Sequence, residues 1–201
     1  KFNTLQMGLL AASRVFALMD VDESHEDQGT REGPHLKGDL EFRSVSFSYD
    51  GTRNALQDIS FILPQGKMLA VVGTTGSGKT SLINLINRLY EMSDGNVFLA
   101  GRDIREYPLS QLRSRIAVVL QDLFLFQGTV LENMTLKNAD LPFEKVLEAS
   151  KAIGAHPYIM QLPGDYGYVL SERGANLSVG QRQLISFVRA LLTDPDLLIL
   201  D

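Results

Sequence analysis

The apolar positions of the chain change their period along its length, and each change predicts a different element. Leu5, Leu9, Ala12, Phe16 and Met19 recur at steps of 4, 3, 4 and 3 residues, which lines them up on one face of an amphipathic helix. Such a helix either packs on its own domain or forms the tail of a longer helix arriving from upstream. Residues 20–39, DVDESHEDQGTREGPHLKGD, are dense in charge, glycine and proline and nearly free of apolar side chains; this is the composition of a solvated linker, and a domain boundary is placed there. From Leu40 the pattern becomes β-like through Phe42, Val45, Phe47 and Tyr49, with a break in alternation between Phe42 and Val45 that predicts a bulge. Further strands are expected at 59–63 and 68–72. Residues 97–100, 116–120 and 197–200 are short apolar runs of the kind buried on both faces of a parallel sheet. Helical patterns occupy 79–89 and 181–192, so strands alternate with helices as in an α/β core. Residues 142–180 contain helix-like pieces without a convincing strand, which predicts a mostly helical subdomain interrupting that core.

A length of 201 residues suits one domain with an appendage and is enough to bury a sizeable core. The composition, 44% hydrophobic and 21% charged, excludes a disordered chain. Nineteen basic and 24 acidic residues give a net charge of −5, a field that does not favour a nucleic-acid partner. The absence of cysteine excludes disulfides, thiolate metal sites and cysteine nucleophiles. The longest uncharged stretch, 152–164, is interrupted by two prolines and falls short of the about 20 mostly apolar residues of a membrane span. The N-terminus does not resemble a secretory signal, and because the chain begins with Lys it is expected to be an excerpt of something longer. His25 and His35 lie in the linker with no second ligand pattern, so neither is expected to hold a metal.

The chemistry begins at Gly73-Thr-Thr-Gly-Ser-Gly-Lys79-Thr80, a match to G-x-x-x-x-G-K-[ST] that follows an apolar run and opens a helical pattern. Glycines let successive backbone N–H groups turn inward, so that Gly73, Thr74, Thr75, Gly76, Ser77, Gly78, Lys79, Thr80 and Ser81 surround a phosphate chain at a helix N-terminus. Lys79 adds a point charge near the β and γ phosphates, and the Thr80 hydroxyl can ligate Mg²⁺. Leu197-Leu-Ile-Leu-Asp201 reads as the second half of the site, an apolar strand that ends in a carboxylate able to hold Mg²⁺ through water.

Those two motifs occur together in kinases, GTPases and helicases alike. A third narrows the class. Leu177-Ser-Val-Gly-Gln181, followed by Arg182-Gln183 and a helix, is similar to the LSGGQ signature of the ATP-binding cassette family. With 73–80, Gln121 and Asp201 in that order, the chain resembles the nucleotide-binding domain of an ABC transporter over about residues 40–201. The resemblance implies an α/β fold: a P-loop NTPase core, with a RecA-like parallel sheet and an antiparallel β subdomain, into which a helical subdomain of about 122–180 is inserted. It implies ATP and Mg²⁺ as ligands, with Lys79, Gln121 and Asp201 catalytic, and Thr80, Gln121 and Asp201 around the metal. Tyr49 matches the aromatic that stacks on adenine; an ordinary strand-end tyrosine is the alternative. Ser178, Gly180 and Gln181 would contact the γ phosphate of ATP held by a second such domain, in a head-to-tail dimer; Ser178 as a plain helix cap is the alternative. Glu172 resembles the acid that touches the transmembrane domain in exporters, unless it is a surface turn. Phe124 and Phe126 either line the groove for a cytoplasmic coupling helix or pack in the core.

The segment 8–20 resembles the link between the last membrane helix of an exporter and its cassette. The implied whole is therefore a fused half-transporter, with the cassette on the cytoplasmic face of a membrane, partnered by its own transmembrane domain and a second nucleotide-binding domain. Two departures stand out. Val179 replaces the first glycine of the usual pair, and the chain stops at Asp201, where the family continues with a catalytic glutamate, a D-loop and a switch histidine. The polypeptide as written is thus expected to bind Mg-ATP and hydrolyse it poorly, with His156 structural. The rival readings are a soluble ABC-type clamp on nucleic acid or ribosomes, and a small-molecule P-loop kinase, which leaves 177–181 unexplained.

Overall fold

The computed structural model describes residues 2–20 and 36–201. Most of the linker, with His25 and His35, lies outside the described residues. Helix α1 spans Phe2–Met19, as the apolar period predicts. Met7, Leu9, Phe16 and Met19 on it are all exposed, so this apolar face stays largely open among the described residues.

Among the described residues of the linker and cassette, Leu36 is already buried, only 1% exposed, ahead of Leu40. Its backbone N–H donates to the Asp196 carboxylate at 2.9 Å, and a Cβ on Gly38 would meet the Ala100 Cα at 2.5 Å, so the end of the linker is fitted into the domain. Strand β1 (Leu40–Ser48) is the centre of an antiparallel sheet, with β2 (Asn54–Leu63) on one side and β3 (Asp94–Leu99) then β4 (Arg102–Asp103) on the other. The expected bulge is present: register shifts between Phe42 and Val45, Ser44 has φ 48°, and Leu40, Phe42, Val45 and Phe47 all stay buried because the extra residue resets the alternation. The carbonyls of the bulge crowd β3, where a Cβ on Gly95 would lie 2.4 Å from the Ser44 oxygen; with φ 84° as well, only glycine fits there.

Two expectations change. The run at 97–100 belongs to β3 and pairs antiparallel to β1, with Gly101 at φ 75° turning the chain into β4. A short apolar run reports burial and cannot report its partner. The run at 68–72 is not a strand in the described structure; Met68 and Val72 are 94% and 93% exposed. A parallel-sheet strand needs neighbours for its backbone groups, and among the described residues none pairs with this segment.

Helix α2 (Lys79–Ile86) and helix α3 (Leu109–Ser114) cover the sheet, burying Leu85, Ile86 and Leu112. Strand β5 (Ile116–Val119) pairs in parallel with β8 (Leu197–Leu200), in the register Val119 to Leu200. Between them lies the helical insertion: α4 (Val130–Thr135), α5 (Phe143–Ile153), α6 (His156–Ile159) and α7 (Val179–Leu192). It has its own core of Leu125, Met134, Val146, Ile159, Leu170 and Ile185. The insertion also contains a two-stranded ribbon, β6 (Gly128–Thr129) with β7 (Val169–Leu170), where no strand is expected from the sequence; two residues carry no periodicity. The result is a mixed α/β architecture, with an antiparallel sheet, a parallel pair and a helical insertion.

Candidate functional site

The loop at 73–80, the expected phosphate cradle, is built by glycine geometry. Gly76 has φ 83°, and Gly78, which precedes α2, has φ 93°. At Gly78 a Cβ would also lie 2.6 Å from the Ala55 oxygen and 2.7 Å from Leu56 Cδ2, so the loop is pressed onto β2 at a point where a side chain has no room. A second close fit occurs at Gly73, where a Cβ would meet Ser77 Oγ at 2.4 Å. The helix then starts at Lys79, with Thr80 and Ser81 in its first turn, and its unpaired N–H groups and dipole favour an anion. Lys79 Nζ donates to the carbonyls of Gly73 and Thr74, each at 2.9 Å. The ammonium thus bridges its own loop where phosphate oxygens would compete for it. Thr74, Thr75, Gly76, Ser77 and Thr80 are exposed, which leaves the cradle open.

Tyr49, just beyond β1, reaches α2. Its hydroxyl lies 3.1 Å from Ser81 Oγ and accepts from Asn84 Nδ2 at 3.1 Å. Its ring meets Phe47 and Tyr90 edge to face, with centroids 4.6 and 5.0 Å away. Tyr49 remains 52% exposed. Its side chain therefore sits beside the phosphate-loop helix, with part of its surface open.

Gln121 and Asp201 follow the ends of β5 and β8. Because those strands are parallel and in register, both residues leave the sheet at the same end, and the Asp201 N–H donates to the Val119 carbonyl at 3.0 Å. Both are exposed. Among the described residues no hydrogen bond or ion pair joins them to Lys79 or Thr80. Sequence order thus predicts one site, whereas the described contacts bring its parts together in two groups: Tyr49 with the α2 loop, and Gln121 with Asp201.

Ser178 is the cap of α7. Its N–H donates to Gln181 Oε1 at 2.7 Å, and its Oγ accepts from the Gln181 N–H at 3.3 Å, a reciprocal capping box. A capping hydroxyl uses only its acceptor side, so its O–H stays available to a phosphate; cap and phosphate ligand are compatible. A Cβ on Gly180 would meet nothing within 4 Å, so no atom of the chain itself requires glycine there. Val179 points outward and is exposed, clear of the cap. Arg182 donates to the Leu177 carbonyl at 3.0 Å and steadies the loop.

Glu172 is exposed in the short 3₁₀ turn Glu172–Gly174, and Gly174 packs against Leu125, where a Cβ would lie 2.9 Å from its Cδ1. Leu125 takes the core position, while Phe124 and Phe126 on either side remain exposed and meet edge to face at 5.0 Å. They border the helical insertion rather than filling it. Sequence reasoning missed what shapes this segment. Asn133 on α4 accepts from the Phe126 N–H and donates back to its carbonyl, at 2.8 and 2.9 Å, while Arg189 on α7 donates to the carbonyls of Asn133 and Phe124 at 2.9 and 3.2 Å. Burial pushes the Arg189 guanidinium pKa down. An arginine inside an otherwise apolar helix face is the signal that could have found it. A cleft of about 360 Å³ lies alongside, bordered by Ala117, Asp122, Phe124, Leu136 and Arg189; no residue of 73–80 lines it. His156 Nδ1 lies 3.0 Å from the Tyr166 hydroxyl, the structural role expected of it.

Comparison with known proteins bears on this arrangement. The sequence profile of the ABC transporter family matches residues 56–201. An uncharacterized ABC transporter ATP-binding protein, YknV of Bacillus subtilis, is 43% identical over all of this chain, which covers 33% of its length. The ATP-dependent lipid A-core flippase of Haemophilus influenzae is 42% identical over 98% of the chain and 34% of its own length. A bacterial Atm1-family ABC exporter with ATP bound has the same fold, with a TM-score of 0.86 and 30% identity over all of this chain and 35% of its own. The chain spans about a third of the length of these relatives. No helix among the described residues is long and apolar enough to cross a membrane. With the family profile matched over residues 56–201, and with exporter and ATP-binding relatives aligned along the whole chain, this chain belongs to the ABC transporter family, as part of its nucleotide-binding domain.

Proposed function

We propose that this chain is the ATP-binding and ATP-hydrolysing part of an exporter, and that two copies, or one copy and a homologous partner, close head to tail around Mg-ATP on the cytoplasmic face of a membrane. Each closed site combines the phosphate loop of one copy with Ser178, Gly180 and Gln181 of the other. Hydrolysis then loosens the junction and drives the transmembrane domain through its cycle. The observation that carries this reading is the outward aspect of the signature: Gly180 has open space around it and Ser178 keeps a free O–H donor. Among the described residues neither is bonded to the Lys79 loop of the same chain, which is compatible with a phosphate site shared with another copy. The relatives named as flippase and exporter favour this reading over a clamp on nucleic acid.

In this scheme Lys79 exchanges the Gly73 and Thr74 carbonyls for phosphate oxygens, and the N–H groups at the start of α2 hold the same anion. Tyr49 offers its exposed surface to the base. Thr80, Gln121 and Asp201 supply hydroxyl, amide and carboxylate oxygens, a donor set that suits Mg²⁺. No group of three or more His, Cys, Asp or Glu among the described residues could hold a metal unaided, so the ion would complete its shell from phosphates and water. When bound, Mg²⁺ neutralises charge on the β and γ phosphates. Gln121, at the neighbouring strand end, orients the attacking water.

Residues 1–201 contain no cysteine, so once any cysteine elsewhere in the intact protein is replaced, paired replacements give a clean test. With Thr75→Cys and Val179→Cys in the intact protein, a cross-link between copies is expected on adding Mg-ATP, and none when Lys79→Ala is also present. A protein that stays uncrosslinked and unassociated at saturating Mg-ATP overturns the reading.

A further inference from the structure

We infer that Asn84 is a positioning residue for the nucleobase platform: together with Ser81 it anchors the Tyr49 hydroxyl to α2, and so fixes the ring that receives the base relative to the loop that receives the phosphates. The inference rests on the functional reading above and goes beyond it, because no motif includes Asn84.

A half-exposed tyrosine has two torsions to freeze before it can serve as a flat platform. The hydroxyl lies on the axis of the second torsion, so bonds to it determine where the ring points and leave its rotation about that axis free. Asn84 Nδ2 donates to the Tyr49 oxygen at 3.1 Å. The same hydroxyl shares a hydrogen bond with Ser81 Oγ, also at 3.1 Å, in which either oxygen can donate, and both partners lie on α2. Rotation about the axis is restricted by the edge-to-face neighbours Phe47 and Tyr90, whose planes stand at 76° and 87° to the Tyr49 ring. Tyr90 is brought there by the turn that ends α2, where the Leu89 N–H donates to the Asn84 carbonyl at 2.9 Å. Direction and rotation are thus both set by α2 and its C-terminal turn, with Phe47 behind.

The same helix begins with Lys79 and Thr80. Asn84 follows Lys79 by five positions, or about 7.5 Å along the helix axis, a fixed spacing between phosphate grip and base platform that a loop would not hold. A base on Tyr49 and a triphosphate at Lys79 therefore report to one rigid element. Without the Asn84 donor the ring regains freedom that stacking must freeze again, and the loss falls on nucleotides alone, because a ligand without a base never uses the platform.

The test compares ATP with inorganic tripolyphosphate, measured by calorimetry on the intact protein. For Asn84→Ala the ATP dissociation constant is expected to rise about threefold to tenfold, the equivalent of one side-chain hydrogen bond, with the tripolyphosphate constant unchanged. Tyr49→Phe removes the same hydroxyl without touching α2; it should give a rise of similar size, and the double variant should add nothing further. The inference is overturned if Asn84→Ala leaves ATP affinity unaltered, if it weakens ATP and tripolyphosphate equally, or if the two substitutions add. An unsubstituted protein that binds neither ligand would instead remove the nucleotide-binding reading on which the inference stands. Loss of both ligands only in Lys79→Ala keeps that reading intact while Asn84 is judged separately.

Discussion

Ser178 and Gln181 satisfy each other at the start of α7, the serine N–H donating to Gln181 Oε1 at 2.7 Å and the glutamine N–H to Ser178 Oγ at 3.3 Å. Two substitutions separate the cap from the proposed phosphate contact. Ser178→Ala loses both, so thermal unfolding should show a loss of about 1 kcal/mol, accompanied by loss of ATP-driven association. Ser178→Asp keeps a good cap but offers no donor and adds a negative charge where the proposed triphosphate would lie. Its stability should stay near that of the unsubstituted protein while association is lost. Association surviving in Ser178→Asp would show that this residue only caps a helix.

The glycines of the phosphate loop should differ in cost although both have positive φ. Gly76→Ala meets nothing within 4 Å, so it pays only for the left-handed backbone, about 1 kcal/mol. Gly78→Ala pays that and also collides with the Ala55 carbonyl and Leu56 Cδ2 on β2. Denaturant titration should rank Gly78→Ala clearly below Gly76→Ala. Equal midpoints would mean that the loop is not pressed against β2 as described.

Leu36 lies in the main core with Leu40 and Phe42, at the end of a stretch whose composition reads as linker. Leu36→Ala should cost about 2–5 kcal/mol, the range for a fully buried leucine, measured by chemical denaturation. Lys37→Ala, one residue on and exposed, should be within about 0.5 kcal/mol of neutral. A neutral Leu36→Ala would return the start of the domain to Leu40.

Asp103 gives the pH dependence a sign. Burial pushes its carboxyl up, but hydrogen bonds from the Arg105 side chain, the Arg105 backbone and Asn96 outweigh this and hold it below the ordinary carboxylate range. A group whose pKa is lower when folded contributes fully above its unfolded value of about 3.9, and that contribution is lost as pH falls through the folded value. Stability at pH 7 should therefore exceed that near pH 3. Asp103→Asn should flatten this acid limb while costing about 1–3 kcal/mol at neutral pH. A variant whose pH profile parallels the parent's would remove Asp103 from the account.

How much was legible depended on how local the physics was. The loop around Lys79 could be read because its glycines answer to backbone angles within eight residues, and the start of α7 because Ser178 and Gln181 are three apart. The bulge between Phe42 and Val45 showed as a broken alternation for the same reason. The expected strand at 68–72 and the parallel partner expected for 97–100 did not follow, since an apolar run expresses a tendency to be buried without naming the backbone that will accept its hydrogen bonds.

From residue order alone came the family and the α/β class, together with the proposed phosphate loop and signature, all of which rest on short spacings that constrain the backbone directly. Tertiary structure alone decided that Asn84 holds Tyr49 from 35 positions away, that Leu36 joins Leu40 in the core, and that Leu125 goes inward while Phe124 and Phe126 stay out. Those outcomes are contacts between distant segments, and which distant segments meet is settled by the competition of the whole chain for its interior.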